Sequence, residues 1–503
     1  MTTAVECVDT QVVVVGAGPV GLMLAGELRL GGADVVVLDR RGGPTTESRA
    51  STLHARTMEI LDCRGLLDAL GTPPSERRGH FAGIPLDLDL PTPYPGQWKV
   101  PQTRTEELLQ AWARELGADV RREHELSGVT VAADHVTAEV VGPTGRPVRI
   151  RARYAVGCDG ERSTLRRLIG ARFPGRDAGR ELLRADVAGI DIPDRRFQRL
   201  PDGLSIAARR GDGVTRVMVH AFGGTVRSPG AEPGFADVAD AWKRVTGEDI
   251  GHGTPLWVNA FGDARRLLDR YRTGRVLFAG DAAHQQMPIG GQALNLGLQD
   301  AFNLGWKLAA EVTGTAPAGL LDSYHDERHP VGRRILENIG AQAALLLGGP
   351  EVEPVRAVLA ALIDRGGVRE HLAAMVSGID VRYDIGDGHP LLGVRLPYAR
   401  LSVGSDEYGS HELLRSGRGV LLGLTGAGAG AGAGPGDGAR LRALARPWAD
   451  RIRVVAADPA PEGPLSGVQA VLVRPDGHVA WADAVGERQL SSALRRWFGE
   501  PSE

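Results

Sequence analysis

The sequence predicts an α/β chain with three parts. These are a doubly wound parallel sheet, an inserted α+β domain and a small separate α/β module at the C-terminus. Three observations carry the prediction. The β-branched run Val12–Val15 leads straight into Gly16-Ala17-Gly18-Pro19-Val20-Gly21 and an apolar helical pattern. A second buried-strand pattern at Val276–Ala279 leads into Gly280-Asp281 and another long apolar helix. Strand-like runs then surround the low-complexity stretch Gly426–Gly438. A chain of 503 residues has room for about two to four domains.

The first segment reads strand, turn, helix, strand. Val12–Val15 is β-branched, as a strand buried on both faces requires. Leu22, Leu24, Ala25, Leu28 and Leu30 suit a buried helix, which Gly31-Gly32 ends. Val35–Leu38 is the second strand, closed by Asp39. A further helix is predicted over Thr52–Leu70, bounded by Gly71 and Pro73. Residues 72–100 are rich in Pro and Gly and read as loop or short strands. Glu106–Leu116 reads as a helix, and 117–157 alternate as strands do. Residues 180–271 mix short strands with turns. Buried patterns resume at Arg275 and run to about 345. In the last hundred residues, strands are predicted at Gly419–Leu424, Ile452–Ala456, Val468–Val473 and His478–Trp481. Pro475-Asp476-Gly477 is a turn between the last two, and Gln489–Phe498 a terminal helix. Gly426–Gly438 reads as a flexible loop.

Composition excludes several function classes. The chain is 42% hydrophobic and 24% charged, which is ordinary for a globular protein. With 59 basic and 62 acidic residues, it has no electrostatic case for binding nucleic acid. Cys7, Cys63 and Cys158 cannot form a disulfide framework or a Cys-rich zinc site. They read as structural thiols in a reducing compartment. No apolar run is long enough for a membrane span, and no signal peptide is evident. A cytoplasmic protein is expected.

Gly16-x-Gly18-x-x-Gly21 is a dinucleotide fingerprint. Its first Gly permits the tight turn, its second admits a pyrophosphate, and its third lets helix and strand pack closely. The helix N-terminus offers free N–H groups to phosphate. Asp39 lies 18 residues beyond Gly21, placed to accept hydrogen bonds from a ribose diol. The fingerprint alone does not separate NAD from FAD. In the 34-residue stretch Arg275–Leu308, Gly280-Asp281 ends a strand, where close approach to a hydroxylated ligand is favoured. Pro288-Ile289-Gly290-Gly291 is a turn whose backbone can lie against a ring. Leu294, Leu298, Ala301, Phe302, Gly305 and Leu308 then fall on one helical face.

Together, Val12–Arg49, Cys158-Asp159-Gly160 and Gly280–Leu308 resemble the class A FAD-dependent aromatic hydroxylases, relatives of p-hydroxybenzoate and phenol hydroxylase. Within that family the likeness is to aromatic polyketide hydroxylases acting on angucyclines and anthracyclines. The resemblance implies an FAD-binding Rossmann-like domain in two parts, 1–179 and 272–394, with 72–100 joining it or the substrate domain. It implies a substrate-binding α+β domain at 180–271 and a thioredoxin-like module at 395–503.

It also implies roles for matching positions. Gly16, Gly18, Pro19, Gly21, Asp39 and Arg40 would bind the ADP half of FAD. Arg49 would touch the flavin region, and Gln102 would bind cofactor from a helix start. Asp159 would serve both FAD and NAD(P)H. Gly280 and Asp281 would hold the ribityl or pyrophosphate part. Pro288, Gly290, Gly291, Gln292, Ala293, Leu294 and Asn295 would border the isoalloxazine. Ala293 departs from the family, which often has Gly there, and Gln285-Gln286 is not the commonest pair before Met287-Pro288.

The implied activity uses NADPH or NADH, O2 and a polycyclic aromatic substrate. Hydroxylation would run through a flavin C4a-hydroperoxide, in antibiotic biosynthesis. No catalytic side chain is assigned and no metal is expected. Baeyer–Villiger oxygenation of a similar scaffold is the alternative chemistry, and a non-turnover flavin scaffold the alternative class. His284 reads as a structural hydrogen-bonder. His325 and His329, four apart, read as a solvated face. Trp257 and Phe261 read as core before pocket. The C-terminal module has no Cys, so thiol exchange is impossible there, and a structural or dimer-interface role is expected.

Overall fold

The computed structural model describes residues 6–44, 51–210, 212–227, 231–425, 437–460, 462–482 and 487–502. Its main sheet has parallel strands in the spatial order Val276–Phe278, Pro147–Gly157, Glu6–Val15, Val35–Leu38, Asp119–Arg121. Val12–Val15 pairs in register with Val35–Leu38 on one side and with Tyr154–Gly157 on the other. That central position explains the unbroken β-branched run: no face of the strand meets water. The order of strands reverses between Glu6–Val15 and Pro147–Gly157. Ligands of such sheets bind at the carboxyl ends of the strands flanking that reversal. Glu125–Val131 and Val136–Val141 extend the sheet as an antiparallel meander against the first half of Pro147–Gly157.

The helix Pro19–Leu30 follows the first strand, with Pro at its first turn and Gly31 at its end. The long helix Gln292–Thr313 packs beside it. A Cβ on Gly297 would lie 2.7 Å from Val20 Cγ2 and 3.0 Å from Gly280 Cα, so this crossing joins the first and last motifs.

The predicted helix over Thr52–Leu70 is not continuous. Thr52–His54 is instead a strand paired with Gln97–Lys99, followed by the helix Ala55–Asp62. Gly65, at φ +67°, breaks the chain before the short helix Leu67–Leu70. Tertiary pairing overrides local helical pattern here. Residues 75–99 include the hairpin Arg78–Phe81 with Ile84–Asp87. Helix Gln102–Glu115 starts four residues before its predicted position.

A five-stranded antiparallel sheet follows, in the order Arg195–Leu200, Gly203–Arg209, Val214–Ala221, Glu181–Ala188, Thr254–Gly262. Residues alternate between its faces. Leu183, Ala185, Val187, Val217 and Val219 pack under Trp242 and Val238 of helix Phe235–Thr246. On the other face, Leu182 and Leu204 join Met287, Ile289 and Leu346 in one apolar cluster.

The C-terminal sheet runs Asp406–Gly409, Arg400–Val403, Ile452–Pro459, Gly419–Leu424, Ala470–Val473, Val479–Ala482. Its parallel central pair and two antiparallel neighbours, with helices Asp437–Ala445 and Glu487–Phe498, make a thioredoxin-like core. Gly438 therefore lies in a helix rather than in the predicted loop, while 426–436 lie outside the described residues.

The turn after Ala470–Val473 inserts into the first domain. Arg474 donates from both terminal nitrogens to Glu327, at 2.6 and 2.8 Å. Lys307 Nζ donates to the same carboxylate at 2.8 Å and to Asn303 Oδ1 at 3.0 Å. Asn303 Nδ2 donates to Glu327 and to Asp476. Nearby, Arg64 pairs with Glu27 through two nitrogens and donates to the carbonyls of Leu414 and Pro475. All of these charged groups are buried.

Candidate active site

The three sequence motifs meet at the carboxyl ends of the central strands. Gly16 sits at φ +105°, and a Cβ there would lie 2.4 Å from Cys158 O. A Cβ on Gly21 would fall 1.9 Å from Gly16 O, whereas one on Gly18 would meet nothing within 4 Å. The first and third glycines are thus closed by protein. The second leaves open space at the N-terminus of Pro19–Leu30, where backbone N–H groups favour an anion.

Asp39 is tied to backbone on both sides. Its Oδ2 accepts the Ala17 N–H at 2.8 Å and its Oδ1 the Arg41 N–H at 2.8 Å. The carboxylate therefore holds the glycine loop in place and keeps lone pairs to spare. Arg40 beside it is exposed. Arg122, which follows the third parallel strand, lies 3.6 Å from Asp39 and donates to Ala17 O at 3.3 Å. No motif marked Arg122; only its place after a strand could have. Gln102 is half-buried at its helix start and donates to Glu106 at 2.9 Å. Arg49 lies outside the described residues.

Asp159 Oδ2 accepts the N–H groups of Thr164 and Leu165, at 2.6 and 3.1 Å. Ser163 caps the same helix start through the Arg166 N–H. The Asp159 Oδ1 is buried without a partner, and burial pushes the carboxyl above its ordinary range. One half of this group builds the turn; the other half is left for something else.

Gly280 donates its N–H to Asp300 Oδ2 at 3.1 Å. The same oxygen lies 2.7 Å from His284 Nε2, and Asp300 Oδ1 accepts from Arg328 Nε at 2.8 Å. Burial raises the Asp300 carboxyl, but the Arg328 charge and His284 outweigh it and hold it below its ordinary value. His284 is thus a structural hydrogen-bonder, as expected, on a buried ion pair that fixes the Gly280-Asp281 turn. Asp281 itself is exposed on that turn.

Gly290 and Gly291 are left-handed, at φ +64° and +72°, and turn the chain into Gln292–Thr313. Pro288 is exposed before them; Ala293 and Leu294 are half-buried after them. Asn295 stands behind this turn. Its Nδ2 donates to Gly291 O at 2.8 Å and Thr52 O at 3.1 Å. Its Oδ1 accepts from the His54 N–H at 2.8 Å and Thr57 Oγ1 at 2.6 Å. All its usual hydrogen bonds go to protein, so it braces the turn against the strand Thr52–His54. His54 was not foreseen. Its Nδ1 lies 2.8 Å from Val376 O, and burial lowers its pKa to about 4.

His325 and His329 are not a solvated face. Their rings lie 4.7 Å apart, tilted by 44°, and pack on the buried Tyr271 ring, and His329 Nε2 lies 2.9 Å from Leu268 O. Trp257 and Phe261 are half-buried on the sheet face opposite Trp242. The Arg184 guanidinium lies 4.4 Å from the Trp257 ring and 5.4 Å from the Phe261 ring, and donates to Asn259 at 3.0 Å.

An open helix N-terminus at Gly18 and unpartnered buried atoms at Asp159 Oδ1 and Gln292 Nε2 fit a large polar cofactor lying across these strand ends. The sequence pattern of the FAD binding domain matches residues 9–339. That of the aromatic-ring hydroxylase C-terminal domain matches 389–501. The chain is 41% identical to a 12-dehydrotetracycline 5-monooxygenase/anhydrotetracycline 6-monooxygenase of Streptomyces rimosus, over 98% of this chain and 99% of that one. It is 41% identical to a rifampicin monooxygenase of Streptomyces venezuelae, over 97% and 98% of the two chains. Its structure matches that of CabE, an aromatic hydroxylase from angucycline biosynthesis, with a TM-score of 0.91 and 48% identity, over 98% and 100% of the chains. The chain therefore belongs to the FAD-binding-domain family of aromatic-ring hydroxylases, and it is an FAD-dependent monooxygenase.

Proposed function

We propose that this monooxygenase hydroxylates a polycyclic aromatic polyketide on the pathway to an antibiotic. The observation that carries the reading is the inner face of the inserted sheet. There, half-buried Ile206, Met218 and Phe261 pack against the cluster that holds Met287 and Ile289, next to the Gly290 turn. A broad apolar wall with Trp257, and with the Arg184 and Arg216 guanidinium groups over that ring, suits a flat polycycle bearing oxygen substituents. The activities of the relatives, on tetracycline precursors and in angucycline biosynthesis, support the same class.

In this reading 1–179 and 272–394 carry FAD, 180–271 carries substrate and 395–503 is the docked module. Gly16, Gly18, Pro19 and Gly21 seat the pyrophosphate, and Asp39 and Arg40 border the adenosine ribose. Gln102, Asp159, Gly280 and Asp281 line the linking chain, with Asp159 also serving NAD(P)H. Arg49 joins them at the flavin. Pro288 and Gly290–Leu294 face the isoalloxazine, and Asn295 braces them. Bound FAD, reduced by NADPH or NADH, supplies the activation of O2. The chain's own residues orient and exclude water. The N-terminus of Gln292–Thr313 favours negative charge placed before it.

The reading assigns the protein to the cytoplasm, where NAD(P)H is supplied, and includes a homodimer, which sedimentation of the loaded chain tests. Among the described residues no helix is long and apolar enough to cross a membrane. The deciding experiment is NADPH-dependent O2 uptake by FAD-loaded protein with a tetracyclic phenol, followed by product mass and NMR. Stimulated uptake with a new ring hydroxyl is expected. Oxygen inserted into a ring C–C bond, or uptake indifferent to all such phenols, overturns the hydroxylation reading.

A further inference from the structure

Three buried side-chain amides form a chain with one polarity. It begins at the Ala82 N–H, which donates to Gln342 Oε1 at 3.1 Å. Gln342 Nε2 donates to Asn338 Oδ1 at 3.1 Å. Asn338 Nδ2 donates to Gln292 Oε1 at 3.1 Å. A backbone N–H cannot accept, so Ala82 sets the orientation of each amide in turn. Gln292 must then aim its NH2 away from the chain. Gln292 is 3% exposed, and its Nε2 is buried with no protein partner. A Cβ on Gly290 would lie 3.7 Å from that nitrogen and meet nothing else within 4 Å. The unused donor therefore lies against the left-handed turn that precedes Gln292–Thr313.

We propose that the Gln292 NH2 is a fixed hydrogen-bond donor to the pyrimidine edge of the flavin. Asn338 and Gln342 are positioning residues that hold it in the donating sense. The inference rests on the flavin placement proposed above. The turn closes the nitrogen off from solvent, so its partner arrives as the flavin seats the turn. The pyrimidine edge gains negative charge on reduction, and a preset donor there favours the reduced cofactor. The start of the chain is itself constrained. Ala82 has φ +52° and its carbonyl accepts from Arg356 at 2.7 Å. Phe197 of the inserted sheet packs over the same hairpin, its ring 4.1 Å from the His80 ring. The donor at the flavin is thus tied to the border with the substrate domain.

The test is the two-electron midpoint potential of the FAD-loaded full chain. Gln292→Leu removes the donor. The preference for reduced over oxidised flavin should fall about tenfold, a shift of about 30 mV to more negative potential. Gln342→Glu leaves an acceptor for the Ala82 N–H but no donor for Asn338. Asn338 must then turn over, and Gln292 presents its oxygen to the flavin. The potential should fall by at least as much, although residue 342 does not reach the flavin. Asn338→Asp accepts from both neighbours, so Gln342 keeps its sense and Gln292 alone turns over. A buried negative charge could lower the potential directly, and the double variants separate that effect. In a Gln292→Leu background, reorientation adds nothing, whereas a direct charge effect persists.

The proposal is overturned if the reversing variants keep FAD at wild-type potential, or if their shifts survive in the Gln292→Leu background. Loss of FAD from both with the fold intact also overturns it, because the chain then holds the site rather than orienting one donor. Gly290→Val reads the placement separately through the flavin absorbance. A spectral change there with none in Gln292→Leu leaves the placement standing and removes the donor. No change in either removes the placement itself.

Discussion

The junction at Arg474–His478 and the face running from Gly16 to Asn295 are both rich in buried polar atoms, and they use them differently. At the junction, Arg474, Glu327, Asp476, Lys307 and Asn303 satisfy one another, and Arg64 with Glu27 closes the neighbouring gap. On the cofactor face, Asp159 Oδ1, Gln292 Nε2 and both polar atoms of Gln286 are buried without a protein partner. A saturated network specifies how two pieces of protein dock. Orphaned atoms beside an open helix N-terminus fit a group that this chain does not itself supply.

The largest effect should come from breaking the saturated side. Glu327→Gln leaves Arg474 and Lys307 short of a buried counter-charge and should cost about 3–5 kcal/mol in urea denaturation. None of the residues proposed above to hold FAD is changed, so any protein that still folds should keep its cofactor. Next come the two glycines that the structure separates. Gly21→Ala drives a Cβ against Gly16 O and should cost about 1–3 kcal/mol of apo stability or more. Gly18→Ala meets open space and should leave apo stability within about 0.5 kcal/mol while weakening FAD binding, read by fluorescence titration.

Acid should act over two ranges, the upper shared by both regions and the lower set at the junction. Burial holds His54 at about 4 and His478 at about 3, below the ordinary 6.5. Below about pH 6.5 the unfolded chain binds protons that the folded one refuses. Stability should therefore be complete above that pH and fall as the pH drops towards 4. Burial raises Glu327, but Arg474 and Lys307 outweigh it and hold it at about 2, so a second loss runs from about pH 4.5 down to 2. Urea midpoints across pH should show both limbs. His54→Gln should flatten part of the upper limb and Glu327→Gln the lower; a single limb unaffected by either contradicts this assignment. The smallest expected change is Asp281→Ala. Apo stability should stay within about 0.5 kcal/mol, with FAD affinity reduced several-fold.

Much of the cofactor side is legible in sequence because its constraints are local. Gly16, Gly18 and Gly21 fall in one six-residue motif, although the atoms that crowd Gly16 come from Cys158, and Val12–Val15 announces a buried parallel strand by composition alone. The same holds for Gly280-Asp281 and the Gly290 turn. What escapes is whatever depends on distant partners. Thr52–His54 is a strand because Gln97–Lys99 pairs with it, against its own helical pattern. Asn295 looks like a ligand residue beside a flavin and proves to be a brace, since Thr52, His54 and Thr57 come from 238 or more residues away. Asp300 and Arg328 sit on separate helices with no spacing to link them. His325 and His329 have surface-like spacing, and only the fold brings Tyr271 beneath them.

The turn at Arg474–His478 also bears on how this architecture can be inherited. A module held on by a hydrophobic patch could be exchanged between relatives with modest loss. This one is keyed: Arg474 and Asp476 fit only a lock that presents Glu327, Asn303 and Lys307 from two helices of the other domain. Recombination that swaps one half without the other strands charge in the interior. Chimaeras cut between the lock and the key should accumulate as insoluble protein, while those that move both together should fold. The C-terminal module, devoid of cysteine, would then persist in the lineage as a part that cannot be dropped.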